Sequence, residues 1–165
     1  VPTLVDEAYI EFSEEESVIE LTQRFPNLFV IRSMSKAQGS AGVRVGVIIS
    51  QNQNIESLMT YKDMYEINGL AVKWIQTLLQ NQDSVSDYIE RVRDVKVELL
   101  PKLIKAGYQI HNGNCNWIHI RTDNQLELPP DIQFRTNCYV PGHYEDDWIR
   151  LQISTDLKDY EFLFV

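Results

Sequence analysis

The sequence predicts an α/β protein with two domains, and three observations support this prediction. Short apolar runs rich in β-branched residues, such as Leu28–Ile31 and Val43–Ile49, are typical of buried strands. Segments with apolar residues at helical spacing separate or follow these runs, as in an α/β layer. The polar stretch at residues 80–84 is the best linker candidate, so we expect one domain over residues 1–82 and a second over residues 83–165.

The first 50 residues predict a strand, a helix and two further strands. Thr3–Val5 is a short apolar strand that ends at the tetrad Asp6-Glu7-Ala8-Tyr9. Residues 14–24 begin with acidic residues, as helices often do, and end before a proline. The next strand, Leu28–Ile31, leads to Lys36. Ligands bind at the carboxyl ends of strands in α/β sheets, so we expect a site there.

Helical patterns follow in the middle of the chain and strand patterns in the last third. Asn54 is a candidate helix cap, and Asn68-Gly69 interrupts the helical pattern before another helix. A long apolar stripe then runs from Val85 to Leu103, and Pro101 within it predicts a kink or a break. Beyond Gly107 we expect short strands at Tyr108–Ile110, Trp117–Arg121, Ile132–Arg135, Cys138–Val140 and Trp148–Ser154.

Composition and charge favour a globular protein. The chain has 165 residues, of which 44% are hydrophobic and 24% charged. Its formal net charge of −9 argues against a nucleic-acid partner, because nucleic acids are polyanions. No apolar run approaches the roughly 20 residues that cross a bilayer, so we expect no membrane partner. Cys115 and Cys138 lack the spacing of zinc ligands, so we predict no metal, and two cysteines fit a cytoplasmic location.

Side chains suited to binding a phosphate lie between the two apolar runs. Ser33, Ser35 and Arg44 offer hydroxyl and guanidinium donors, and the glycines between them leave loop N–H groups accessible. Lys36 stands among them, and an amine at the end of a buried strand is what a Schiff-base lysine requires. We therefore regard Lys36 as the candidate catalytic residue.

The segment SMSKAQGSAGVRVG resembles the cofactor-lysine segment of fold-type I pyridoxal-phosphate (PLP) enzymes. The nearest resemblance is to class I/II aminotransferases, especially the histidinol-phosphate aminotransferase branch. It implies that Lys36 binds PLP covalently and that Ser33, Ser35 and Arg44 hold the cofactor phosphate. Gln38 and Ser40 depart from the family pattern, which has an aromatic and a hydrophobic residue at these positions.

Two further segments resemble motifs of the same family. The tetrad DEAY implies that Asp6 pairs with the pyridinium nitrogen and that Tyr9 contacts the ring hydroxyl. The segment WIRLQIS resembles a late motif in which an arginine binds the substrate carboxylate, here Arg150. Arg135 resembles a second family arginine, but we interpret it as a surface residue. We interpret the three histidines, His111, His119 and His143, as structural or surface residues.

The resemblance covers the whole chain but begins in the middle of the family's own sequence. It implies the C-terminal part of the PLP-binding large domain, with a mixed, mostly parallel sheet, plus a small α/β C-terminal domain. We therefore expect a fragment, inactive by itself, of a homodimeric enzyme. That enzyme would transfer an amino group from an amino-acid or amino-phosphate substrate to a 2-oxo acid or related carbonyl compound. Two alternatives stay open: another fold-type I activity, such as an amino-acid decarboxylase or lyase, and a catalytically inert module of the fold.

Overall fold

The computed structural model describes residues 1–121, 132, 134–136, 138, 140, 142 and 147–164. It divides the chain into two compact units, Val1–Asp87 and Tyr88–Val165. The assignment of residues 1–82 and 83–165 to a large and a small domain stays a prediction. In the described part of the chain, no helix is both long and apolar enough to cross a membrane.

The first unit contains a three-stranded sheet in the order β1-β2-β3. Its strands are β1 (Thr3–Asp6), β2 (Leu28–Ser33) and β3 (Gly46–Ile49). β1 pairs with β2 in parallel, whereas β2 and β3 are antiparallel, so the sheet is mixed as expected. The central strand β2 buries Leu28 and Val30, which alternate with half-buried neighbours as the two-residue period of a strand requires.

The connection between β1 and β2 is not the helix that residues 14–24 predict. It contains two short 3-10 helices, Ile10–Phe12 and Ile19–Gln23, so the prediction of an α-helix is wrong. The cause is a contact with a residue distant in sequence. The carboxylate of Glu7 accepts hydrogen bonds from the Val18 N–H at 2.7 Å and the Ser17 hydroxyl at 2.8 Å, which fixes the start of this segment as a loop.

The second apolar run forms a strand only in its last four residues, because the chain turns first. Ala41–Val43 is a 3-10 turn, and Arg44 adopts a left-handed backbone conformation with φ of 58°. β3 therefore begins at Gly46, opposite Ser33. A Cβ atom at Gly46 would lie 3.2 Å from the carbonyl oxygen of Arg32, so glycine permits this close pairing.

Two helices of the first unit follow β3. α1 (Asn52–Met59) begins two residues before the predicted cap Asn54, whose side-chain amide instead donates to the Pro26 carbonyl and the Ser50 hydroxyl. α2 (Gly69–Gln80) begins where the Asn68-Gly69 signal places it. The Asn68 side chain accepts a hydrogen bond from the Ala71 N–H at 2.8 Å, which is a typical N-cap contact.

A long helix, α3 (Gln82–Lys105), follows α2 after a single non-helical residue, Asn81. The polar stretch at residues 80–84 is therefore helical except at Asn81, and its role as a boundary between domains stays a prediction. The helix also continues through Pro101, so it does not break at that residue. Apolar residues on both sides of the proline keep this helix packed, and four of them are buried: Val92, Val95, Leu99 and Leu103.

The second unit contains an antiparallel sheet in the order β4-β5-β7-β6. Its strands are β4 (Ile110–Asn112), β5 (Trp117–Arg121), β6 (Phe134–Arg135) and β7 (Trp148–Gln152). The strand predicted at Trp117–Arg121 is confirmed, and alternate residues of the two central strands form a buried apolar face. Part of the strands predicted over residues 132–140 lies outside the described residues. Strands and helices in both units confirm the α/β class.

Candidate active site

The carboxyl ends of β1 and β2 bring most of the predicted site residues to one edge of the first sheet. Asp6 ends β1 opposite Ile31, and Ser33 ends β2 two residues further on. β3 starts opposite Ser33, which places Arg44 at the same edge. Parallel strands ending side by side leave a crevice in which ligands bind.

The loop after β2 carries Lys36 and is closed by its own backbone. The Gly39 N–H donates to the Lys36 carbonyl, and the Ser40 N–H donates to the Met34 carbonyl, both at 3.0 Å. The half-buried Lys36 extends toward Tyr9, and its Nζ lies 5.0 Å from the centre of the Tyr9 ring. No carboxylate of the described residues forms an ion pair with this amine. Lys36 is thus held beside an aromatic ring without an acidic partner.

The remaining residues of this edge supply hydrogen-bonding groups. The Ser33 hydroxyl oxygen accepts the Ser35 N–H at 3.1 Å. The exposed Arg44 guanidinium donates to the Ala41 carbonyl at 2.9 Å and has further N–H groups for a ligand. The exposed Asp6 carboxylate accepts the Ala8 N–H at 2.9 Å and keeps its second oxygen for another donor.

These groups match what a phosphorylated pyridine aldehyde needs. They comprise one amine, two hydroxyls, one guanidinium and one carboxylate at a single sheet edge, from residues Asp6, Ser33, Ser35, Lys36 and Arg44. An amine without an acidic partner can react with a carbonyl, and a carboxylate can hold a protonated ring nitrogen. The residues present therefore fit the cofactor that the resemblance implies.

Glu7 supports this edge, and we did not predict its role from the sequence. Its side chain is only 5% exposed, and it links β1 to Ser17, to Val18 and to Arg32 of β2. The Arg32 guanidinium lies 3.1 Å from the carboxylate. Burial alone would raise the pKa of Glu7, but the hydrogen bonds and the charge of Arg32 outweigh burial and lower it. The signal in the sequence is strand alternation, which places Asp6 and Glu7 on opposite faces.

Arg150 belongs to the second unit, where it lies on β7. Its guanidinium carbon is 5.3 Å from the centre of the Trp117 ring, a cation–π contact. None of the carboxylates that the structure describes forms an ion pair with it. Its neighbours across the sheet are His119 on β5 and Arg135 on β6. His119 is buried, His111 is exposed, and His143 lies outside the described residues.

Comparisons with known proteins identify the family. The sequence profile of the family described as "Aminotransferase class I and II" matches residues 1–163. A histidinol-phosphate aminotransferase from Acetobacter pasteurianus is 28% identical over 160 residues, which are 93% of this chain and 45% of that protein. The chain thus spans about half the length of the curated relatives it matches.

Solved structures show the same fold. The histidinol-phosphate aminotransferase from Sinorhizobium meliloti, in complex with pyridoxal-5′-phosphate, is 17% identical with a TM-score of 0.78. The match covers 99% of this chain and 47% of the Sinorhizobium meliloti protein. L-threonine-O-3-phosphate decarboxylase from Porphyromonas gingivalis is 18% identical with a TM-score of 0.82, over 99% of this chain and 54% of that protein. By the match to its profile, this chain belongs to the family of class I and II aminotransferases.

Proposed function

We propose that this chain carries the cofactor-lysine half of a PLP-dependent aminotransferase similar to histidinol-phosphate aminotransferase. The observation that carries the proposal is the position of Lys36. Its amine lies over Tyr9, beside the carboxyl ends of two parallel strands and without an acidic partner among the described residues. The family membership and the names of the relatives support the same activity.

Each residue of the site receives a role in this proposal. Lys36 binds the cofactor aldehyde and moves the proton at the substrate α-carbon as a general base. Ser33, Ser35 and Arg44 bind the phosphate. Asp6 holds the proton on the pyridine nitrogen, and Tyr9 contacts the ring hydroxyl.

The cofactor supplies the electron sink of the reaction when it is bound. Arg150 binds the carboxylate of the amino-acid substrate, because a planar guanidinium can donate to both carboxylate oxygens. A substrate that keeps its carboxylate is one that is transaminated rather than decarboxylated. Arg150 therefore argues against decarboxylation as the reaction.

We propose in addition a cytoplasmic location and, for the intact enzyme to which this chain belongs, a homodimer. The support for the dimer is a group of strongly exposed apolar side chains after α1, namely Tyr61, Met64, Tyr65 and Leu70. Apolar surface of this kind is typical of protein interfaces. Sedimentation velocity tests the dimer, and a monomer at every concentration would contradict it.

Borohydride trapping tests the assignment of Lys36. We expect that the chain, saturated with PLP, reduced and digested, carries the added mass at Lys36. Lys36→Ala should lose the label, whereas Lys73→Ala, which removes an exposed lysine of α2, should keep it. A label spread evenly over the lysines of the chain, or unchanged in Lys36→Ala, would overturn the assignment and favour an inert module.

Product analysis separates transamination from decarboxylation. The solved decarboxylase with a TM-score of 0.82 has the same fold, so the fold does not discriminate between the two reactions. The PLP-loaded protein, joined to the half that its relatives have and this chain lacks, should convert an amino acid into its 2-oxo acid. Release of CO₂ and an amine instead would assign it to the decarboxylases.

A further inference from the structure

A row of four basic side chains crosses the second sheet. His111 on β4 pairs with His119 on β5, His119 pairs with Arg150 on β7, and Arg150 pairs with Arg135 on β6. Residues directly opposite each other in a sheet point to the same face, so these four share one face. The opposite face carries the buried apolar residues of β5 and β7, such as Ile118 and Leu151.

His119 is the buried member of this row. It is 6% exposed, and its Nδ1 is buried without a hydrogen-bond partner in the described part of the chain. Its ring packs edge-on against Trp117, with ring centres 4.8 Å apart. The Arg150 guanidinium forms a cation–π contact with the same Trp117 ring. Nearly all buried polar atoms in proteins are hydrogen-bonded, so the Nδ1 of His119, which lies next to a charged residue, is a candidate contact for a bound ion.

The charged side chains that the structure describes in the same row as His119 are all basic. His111 faces it from β4 with ring centres 6.0 Å apart, Arg150 faces it from β7, and Arg135 lies beyond Arg150 on β6. Lys96 of α3 donates to the carbonyls of Gly113 and Cys115, which lie between β4 and β5. Like charges opposite each other on a sheet are unfavourable, and a bound anion would relieve this repulsion.

Burial lowers the pKa of His119, and the charges of His111 and Arg150 lower it further. The imidazole is therefore neutral at pH 7 as long as no anion is near. A bound anion beside His119 would favour the protonated imidazole, because a negative charge stabilises the positively charged form.

We propose that His119 is a second ligand of the anion that Arg150 binds, and that it takes up one proton from solvent when the anion binds. The protonated Nδ1 then donates to an anion oxygen, and the guanidinium donates to another. The ligand class is an oxyanion, either a carboxylate or a phosphate group of the substrate. This inference rests on the proposed function, in which Arg150 binds the substrate carboxylate.

The test measures anion affinity and the protonation of His119 in the 165-residue chain. The probes are acetate, for a carboxylate, and sulfate, which represents phosphate and keeps its charge over this pH range. Because proton and anion binding are reciprocal, we expect the preferred probe to bind about tenfold more tightly at pH 6 than at pH 8. In NMR spectra the His119 imidazole should titrate at a higher pH when that probe is present.

Three variants separate this proposal from the role of Arg150. His119→Gln should bind the probe with an affinity that no longer depends on pH, whereas His111→Gln, a matched control on the neighbouring strand, should keep the dependence. Arg150→Gln should lose binding. Probe binding could be lost in Arg150→Gln and yet be independent of pH in the unmodified chain. This result would overturn the proposal for His119 and leave the role of Arg150 intact.

Binding that survives in Arg150→Gln would overturn the role of Arg150 in the proposed function. Should His119→Gln fail to fold, the NMR titration of the unmodified chain decides. A His119 resonance that titrates at the same pH with and without both probes contradicts the proposal.

Discussion

The two sheets of this protein are stabilised in different ways. In the second unit, Ile118, Ile120 and Leu151 of the two central strands are fully buried. In the first unit, only β2 has a buried apolar set, whereas Leu4 of β1 is 63% exposed and Ile48 of β3 is 46% exposed. The central strands of the second unit thus have a buried apolar face, whereas the first unit has exposed apolar residues on β1 and β3.

This difference raises the question of which contacts hold the strands and the loop of the first unit together. In addition to the buried apolar set of β2, a buried carboxylate connects its segments, since Glu7 joins β1, the following loop and β2. Hydrogen-bonded links of this kind fix geometry but contribute less stability than a packed core. The edge that carries Lys36 is therefore positioned by polar contacts, and the row that carries Arg150 lies on a sheet held by apolar packing.

The largest expected effect contrasts one leucine from each sheet. Leu151→Ala on β7 removes a fully buried side chain and should cost the second unit about 2–5 kcal/mol of unfolding free energy. Leu4→Ala on β1 makes the same chemical change at an exposed site. It should change the free energy of unfolding of the first unit by no more than about 0.5 kcal/mol. Hydrogen exchange of the β5 and β2 amides measures each unit separately. Equal losses of unfolding free energy in the two variants would contradict the proposed difference between the two sheets.

An intermediate effect is expected from the polar link of the first unit. Glu7→Gln keeps the shape of the side chain but removes the charge that Arg32 and two further donors bind, so it should cost about 1.5–3 kcal/mol. The loss should appear in amide exchange of β1 and β2. Glu20→Gln, an exposed glutamate in the same connection, is the control and should change little.

The same carboxylate predicts a pH dependence. Because the folded protein lowers the pKa of Glu7 below the reference value of 4.5, its stabilisation is complete above that pH and is lost as the pH falls below it. Glu7→Gln should therefore be less stable than the parent at pH 6, and the difference should shrink toward pH 3. A difference that stays constant over this range would show that the charge of Glu7 does not contribute.

The smallest expected effect concerns the cap of α2. α2 has one buried residue, Ala71, whereas α3 has four. The stability of α2 should therefore depend more strongly on hydrogen bonds at its ends. Asn68→Ala removes the hydrogen bond to the Ala71 N–H and should cost about 1 kcal/mol. Faster exchange of the first-turn amides of α2 would show the loss. Asn68→Asp, which can still accept this bond, should retain the protection.

The parts of the fold that follow from local pattern could be predicted from the sequence. The alternation in Trp117–Arg121 and the Asn68-Gly69 signal both gave elements that the structure contains. The failures have causes in tertiary contacts and packing, which local propensity does not show. Residues 14–24 are not an α-helix because Glu7 binds Ser17 and Val18, and Pro101 does not end α3 because buried apolar residues flank it on both sides.

The candidate site was predictable to the extent that it lies on one segment. The spacing of Ser33, Ser35, Lys36 and Arg44 is a local feature, and the parallel pairing of β1 and β2 adds Asp6 at the same edge. The environment of His119 could not be predicted. Its neighbours come from two other strands, β4 and β7, and no local pattern gives the register between them.

The backbone of Arg44 has a consequence for how this chain can change by mutation. A side chain in the left-handed region costs roughly 1–2 kcal/mol that glycine would not incur. Selection for stability alone would therefore favour glycine at this position, whereas under the proposed function selection for phosphate binding would retain the guanidinium. Drift toward Arg44→Gly should thus accompany a loss of cofactor binding in any descendant of this chain. The residue at this one turn would then distinguish descendants that still bind phosphate from those that keep only the fold.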